Sequence, residues 1–386
     1  MQSQRESGNT SAPLLLWLNG GPGTSSLLGV LAETGPIRFD PDSLEPKLAD
    51  TPAWTDDFDV LYIDQPVGTG FSYASNADGF ATSQEEIVLD LFEAFQQFFQ
   101  LFPEYYEKPL YLTGISYAGK YVPWLAVRVH DENQKPETRQ YPLEGIVTIN
   151  GFTDPTSAFS DTAQFLYQHG LVDRNGEAQI QEGAEILAQA TELEDWLTAV
   201  LIIADFGNNE TGLLNNLTGY TQMYNVADPY DQGLPPGTWE IYPEFVNQPK
   251  IRDAIHVGQT PFGGGYDVQA SLLLDFPQSA KNKLVTILNN NYKVLLLNGA
   301  IDLVLGPRTC TSLLNSSNDW RDLDLYQQSK QEILKDETGS VVGYLTKVRN
   351  MWQAKVLGGT HYAPANVPGP VYSILKEFIA ASSIGR

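Results

Sequence analysis

One serine sits where a hydroxyl could be made reactive. Ser116 lies in Leu112-Thr113-Gly114-Ile115-Ser116-Tyr117-Ala118-Gly119, an apolar run that breaks into small residues and then into a helical pattern. A strand turning sharply into a helix presents the side chain at the turn, and small neighbours are needed because the backbone packs closely there. The usual spacing is G-x-S-x-G; here Ala118 holds the second glycine position. A serine hydroxyl is a weak nucleophile at neutral pH and requires a base. Of His130, His169, His256 and His361, only His361 lies in the last quarter, in Gly358-Gly359-Thr360-His361-Tyr362-Ala363-Pro364, where a strand end breaks into a loop. The base in turn needs a carboxylate to orient it. Asp302 follows the apolar run Val294–Leu297 in Asn298-Gly299-Ala300-Ile301-Asp302, just past a strand end. Serine, aspartate and histidine in this chain order match a nucleophilic triad on an α/β sheet. Acyl transfer by such a triad also needs two backbone N–H groups facing the developing negative charge. Tyr117, directly after the serine, supplies one, and the loop Asn19-Gly20-Gly21-Pro22-Gly23 is suited to supply the other. The scheme requires no metal and no cofactor.

These residues must be held by rigid elements, and the sequence supplies them. Leu14–Leu18, Val60–Ile63, Leu110–Leu112, Gly145–Ile149 and Val294–Leu297 are apolar runs, each followed by Gly, Pro, Asn or Asp within a few residues. Continuous rather than alternating apolar strands indicate a sheet covered on both faces. Between them, Ser83 and Glu86 read as a capping box opening a helix whose apolar stripe runs from Ile87 to Phe102, ended by Pro103. Strand, helix, strand in succession predicts an α/β-hydrolase fold: a mostly parallel central sheet with helices on both faces. From Pro155 to about residue 284 the strand signals fade. Helical segments such as Ala163–Gln168, Ala178–Ala188 and Glu192–Ala204 alternate with Gly-, Asn- and Pro-rich loops. The expected division is a core of residues 1–154 and 285–386, with 155–284 as a mostly helical cap over the site.

Composition narrows the partners. The chain of 386 residues carries 23 basic and 47 acidic side chains, a formal charge of −24. So negative a surface repels phosphate backbones and anionic lipids, which excludes nucleic acid and membrane surfaces as expected partners. No apolar run approaches the roughly 20 residues of a spanning helix; the longest candidate, Leu197–Ala204, reads as a buried helix segment. With Cys310 as its single cysteine the chain can form no intramolecular disulfide. Asn9, Asn209, Asn216 and Asn315 open N-x-S/T sequons, which makes a secreted glycoprotein one expectation. Residues 1–10 are polar and carry no apolar signal segment.

Taken together, Trp17-Leu18-Asn19-Gly20-Gly21-Pro22-Gly23, Asp64-Gln65-Pro66-Val67-Gly68-Thr69-Gly70-Phe71-Ser72-Tyr73, Gly114–Gly119, Asn150-Gly151-Phe152-Thr153-Asp154-Pro155, the Asp302 segment and Gly359-Thr360-His361 resemble the serine carboxypeptidase family over nearly the whole chain. The resemblance implies an exopeptidase that removes the C-terminal residue of a peptide through an acyl-enzyme, in a secreted or vacuolar/lysosomal setting, often acidic. It implies Ser116, Asp302 and His361 as the triad and Gly21 and Tyr117 as the oxyanion hole. Asn19, Gly20 and Glu33 would then bind the free C-terminus of the peptide substrate. A glutamate can donate to a carboxylate only when protonated. The oligomeric state is left open, with a homodimer as one option.

Three departures from the family pattern stand out. Ile115 occupies the position before the nucleophile where the family usually has a glutamate, which would share a proton with Glu33. Like charges raise a carboxyl pKa, so its loss leads one to expect that Glu33 ionises more readily and repels the substrate terminus. Ile115 also motivates a second reading, an esterase or acyltransferase on the same scaffold acting on substrates without a free carboxylate. Thr24 replaces the usual cysteine after the glycine loop, and the family's strands before Leu14 are missing, as in a trimmed form. A third class, a non-catalytic binding protein that kept the fold, is disfavoured by the intact triad residues.

Overall fold

A computed structural model describes residues 2–3, 11–40, 42–207, 211–231 and 233–382. Its main sheet has nine strands: β1 Gln2–Ser3, β2 Leu14–Leu18, β3 Asp59–Tyr62, β4 Leu110–Ile115, β5 Leu143–Ile149, β6 Lys293–Gly299, β7 Glu332–Lys335, β8 Val341–Val348 and β9 Met351–Val356. Their spatial order is β1-β3-β2-β4-β5-β6-β9-β8-β7. The six central strands from β3 to β9 pair in parallel; the outer pairings are antiparallel. The expected mostly parallel α/β sheet is therefore present; contrary to the expectation that no strand stands before Leu14, the short β1 lies there, on the edge beside β3.

Alternation within the apolar strands builds two cores. Leu14, Leu16 and Leu18 of β2 face one side with Leu112, Ile146 and Leu296. Leu15 and Trp17 face the other with Tyr111, Val147, Leu295 and Leu297. Helices α1 Gln84–Leu101 and α2 Ala118–Asn133 cover the first face. A C-terminal helix, Pro368–Ala380, covers the second with Val371, Ile374, Leu375 and Phe378. Burial on both faces is what makes the strands read as unbroken apolar runs. The start of α1 follows half of the capping box. The Ser83 side chain accepts from Glu86 N, but the Glu86 carboxylate turns to the backbone and hydroxyl of Thr82.

Between β5 and β6 the chain runs through a series of helices that includes Arg174–Glu192, Trp196–Gly207 and Thr238–Val246. Ile180, Leu187, Ile203, Phe206 and Met223 join the same apolar core as the first sheet face. Two expectations are corrected here. The segment Glu192–Ala204 is not one helix: the chain breaks at 193–195, where Glu194 has φ 56°, and restarts at Trp196. The run Leu197–Ala204 is only half buried. Ala199, Val200 and Ile203 point inward, while Leu197 and Leu201 are about 60% exposed, so the helix lies on the surface with one face packed. Among the described residues no helix is long and apolar enough to cross a membrane. Asn216 and Asn315 are exposed, whereas Asn9 and Asn209 lie outside the described residues.

Candidate active site

Ser116 occupies the sharp turn between β4 and α2. Its φ of 61° lies in the left-handed region, a costly conformation for a side chain with a Cβ, which must be enforced by its surroundings. Three backbone bonds do so: Ser116 N donates to Ile149 O, and Ser116 O accepts from Gly119 N and Phe152 N. The small residues around it follow from close packing. A Cβ on Gly114 would lie 2.6 Å from Ala118 Cβ, and one on Gly119 would lie 2.6 Å from Phe152 N. Alanine at 118 is thus accommodated because Gly114 leaves it room.

His361 and Asp302 meet in the interior at the carboxyl ends of β6 and β9. His361 Nδ1 lies 2.7 Å from Asp302 Oδ2, and both side chains are at most 1% exposed. Asp302 is itself fixed by three further donors. Its Oδ1 accepts from Val304 N and Leu305 N, and its Oδ2 accepts from Asn150 Nδ2 at 2.8 Å. Asn150 in turn accepts from Gly299 N. With Nδ1–H directed at the carboxylate, Nε2 is the ring nitrogen left to receive a proton. Ser116 and His361 line one cavity, together with Gly21 and Tyr117. Among the described residues no hydrogen bond joins Ser116 Oγ to the ring; such pairs often tighten only when substrate is bound.

The glycine loop after β2 lies against the nucleophile turn. A Cβ on Gly20 would sit 2.4 Å from Tyr117 N and 2.7 Å from Ile115 O, so only glycine allows this approach. Gly21 has φ 105°, open to glycine alone at low cost. Asn19, Gly20, Gly21 and Ile115 line a second cavity that meets the first at Gly21 and Ser116. Glu33 does not line it. The glutamate lies beneath Asn19, whose Nδ2 donates to Glu33 Oε1 at 2.7 Å while its Oδ1 accepts from Trp17 Nε1. Glu33 Oε2 is buried and has no hydrogen-bond partner among the described residues. Burial raises the Glu33 carboxyl to about 7, against the lowering effect of the Asn19 hydrogen bond and Arg38. Desolvation alone thus favours the neutral acid here, with Ile115 and not a glutamate before the nucleophile.

Several functional neighbours went unread in the sequence. Tyr224 stacks on the His361 ring with centroids 4.2 Å apart and planes 19° apart. Its carbonyl accepts from His361 N, Met223 O accepts from Leu303 N, and Val226 N donates to Ile301 O. One short segment of the inserted region thus holds both the acid and the base loops. Asp275 accepts from Gln84 Nε2 and Tyr117 OH, behind the nucleophile turn. Lys120, fully buried beside it, donates to the carbonyls of Asp275 and Phe276, and burial lowers its pKa to about 7. Such long-range partners leave no local pattern. Asn150 alone had a signal, as the residue directly after β5.

Comparison with known proteins follows this geometry. The family model "Serine carboxypeptidase" matches residues 1–381. The chain is 35% identical to a "Probable serine carboxypeptidase CPVL" of Mus musculus, over 95% of this chain and 76% of that protein. It is 31% identical to a "Venom serine carboxypeptidase" of Apis mellifera, over 95% and 78% respectively. Its fold matches the crystal structure of a prohormone-processing carboxypeptidase from Saccharomyces cerevisiae with TM-score 0.80 at 22% identity, covering 97% of this chain and 84% of that one. The chain therefore belongs to the serine carboxypeptidase family and is a hydrolase.

Proposed function

We propose that this protein removes the C-terminal residue of peptides by nucleophilic catalysis at Ser116. The observation that carries the reading is the buried His361–Asp302 pair, which opens on the same cavity as a serine held at a strained turn. His361 Nε2 takes the proton as Ser116 Oγ attacks the carbonyl carbon. The N–H groups of Gly21 and Tyr117 receive the oxyanion. Collapse breaks the C–N bond, and His361 passes its proton to the departing amine. A water then attacks the acyl carbon as the same ring takes its proton; the bond from that carbon to Ser116 Oγ breaks, and the ring returns the proton to Oγ. Asp302 holds the ring in place and steadies the imidazolium.

The terminal carboxylate of the substrate is received at Asn19 and Gly20. Asn19 keeps one N–H beyond its bond to Glu33, and the neutral Glu33 beneath it adds no negative charge. Residues 155–284 act as a cap over the site. Because Glu33 is protonated in acid, the reading suits an acidic secreted, vacuolar or lysosomal setting. Release of the terminal amino acid from a blocked dipeptide, followed between about pH 4 and pH 8 and abolished by Ser116→Ala, tests it; absence of release across that range contradicts it.

Ile115, 1% exposed in the wall of the second cavity, favours a second reading. An apolar side chain there suits an ester or amide without a free carboxylate. A peptide ester hydrolysed far better than the matching free-acid peptide would select this alternative.

A further inference from the structure

Behind the nucleophile turn lies a polar cluster closed off from solvent. Gln84, Tyr117, Lys120 and Asp275 are each at most 4% exposed. Asp275, which lies between β5 and β6 in the chain, gathers three donors. Its Oδ1 accepts from Gln84 N at 3.1 Å, and its Oδ2 accepts from Gln84 Nε2 at 2.8 Å and from Tyr117 OH at 3.2 Å. Gln84 is the first residue of α1, so its N–H has no partner within the helix and needs an acceptor outside it. Gln84 Nε2 also donates to Tyr117 OH at 3.2 Å. Lys120 Nζ fixes the backbone on the far side, donating to Asp275 O at 3.1 Å and Phe276 O at 2.6 Å. Phe276 then stacks on the Tyr117 ring, with centroids 5.1 Å and planes 24° apart. The Tyr117 side chain is thus held at its hydroxyl and on its face by residues from the inserted region.

The backbone of the same residue faces the chemistry. The direction of the Tyr117 N–H is set by the peptide plane that joins Tyr117 to Ser116. Ser116 has φ 61°, a strained conformation that persists only where its surroundings enforce it. Turning that plane would drag the Tyr117 phenol away from Asp275 and Gln84. We infer that Asp275 is a positioning residue for the oxyanion hole: by holding the Tyr117 phenol from behind, it keeps the Tyr117 N–H aimed at the reacting carbonyl. The inserted region then supplies part of what stabilises the transition state, as well as walls for the cavity. The inference rests on acyl transfer at Ser116, whether an amine or an alcohol leaves.

Tyr117→Phe, Asp275→Ala and Asp275→Asn test it on a blocked dipeptide, the matching methyl ester and a peptide aldehyde. Ser116 Oγ bonds to the aldehyde carbon, its proton passes to His361, and the former carbonyl oxygen enters the hole as an oxyanion. Tyr117→Phe keeps the ring and removes only the hydroxyl. In Tyr117→Phe and Asp275→Ala, kcat and kcat/KM should fall together by about tenfold to a hundredfold, with KM nearly unchanged. Affinity for the aldehyde should fall by the same factor. Asp275→Asn keeps an acceptor for the phenol and should recover most of the loss. A cluster that only packs would lower the melting temperature and leave kcat and aldehyde affinity at wild-type values, which would overturn the inference. So would a loss confined to KM. If Asp275→Ala does not fold, Tyr117→Phe decides. Cleavage of the ester alone, with the same losses in the variants, would leave this inference standing and remove the carboxypeptidase reading.

Discussion

At the scale of single residues, charge state decides what the site can bind. Glu33 is buried, with one oxygen bonded to Asn19 and the other unpartnered, and burial raises its carboxyl from 4.5 to about 7. A folded-state pKa above the unfolded value means the native protein binds the extra proton. The associated stability is complete below about pH 4.5 and is lost as pH rises toward 7, on the order of 3 kcal/mol in all. Glu33→Gln should flatten that part of the curve of melting temperature against pH; an unchanged curve would contradict the assignment. In the wild type, KM for free-acid peptides should rise as pH passes through about 7, while KM for the matching esters should not. In the family pattern a glutamate at position 115 shares a proton with Glu33, so Ile115→Glu should lower KM for free-acid peptides below about pH 5. An unchanged KM there would refute this account of position 115.

At the scale of elements, the site depends on backbone approaching backbone. The loop after β2 lies so close to the nucleophile turn that a methyl group on Gly20 would meet Tyr117 N. Gly20→Ala must push apart the two halves of the oxyanion hole. Losing one such donor costs about 10²- to 10³-fold in kcat, and a loss of that order is expected here, with circular dichroism reporting an intact fold. Full activity would mean the loop does not bound the hole. These elements were legible because each triad residue follows an apolar strand, and strand ends announce themselves by Gly, Asn and Pro. Tyr224 and Asp275 were not legible. They belong to loops of the inserted region, and their roles arise only when chain far apart in sequence folds back on the base loop and the nucleophile turn. The cut between Arg174–Glu192 and Trp196–Gly207 was hidden for another reason: the residues at the break carry no proline or glycine.

At the scale of the whole molecule, a formal charge of −24 sits on one chain. Self-repulsion of a surface so charged opposes the compact state and is relieved by salt or by protonation. Raising salt at neutral pH should therefore raise the melting temperature more than the same addition at about pH 5; an equal effect would show the repulsion to be minor. The overall architecture was readable because both sheet faces are buried, while which residues between β5 and β6 come to line the cavity at Ser116 was not, since the apolar faces of those helices fit many packings. The account as a whole turns on Ser116 being activated by His361. Mass mapping of a fluorophosphonate adduct tests this most directly. Labelling is expected at Ser116 alone, and much slower in His361→Ala. An adduct elsewhere, or labelling undiminished without the imidazole, would contradict it.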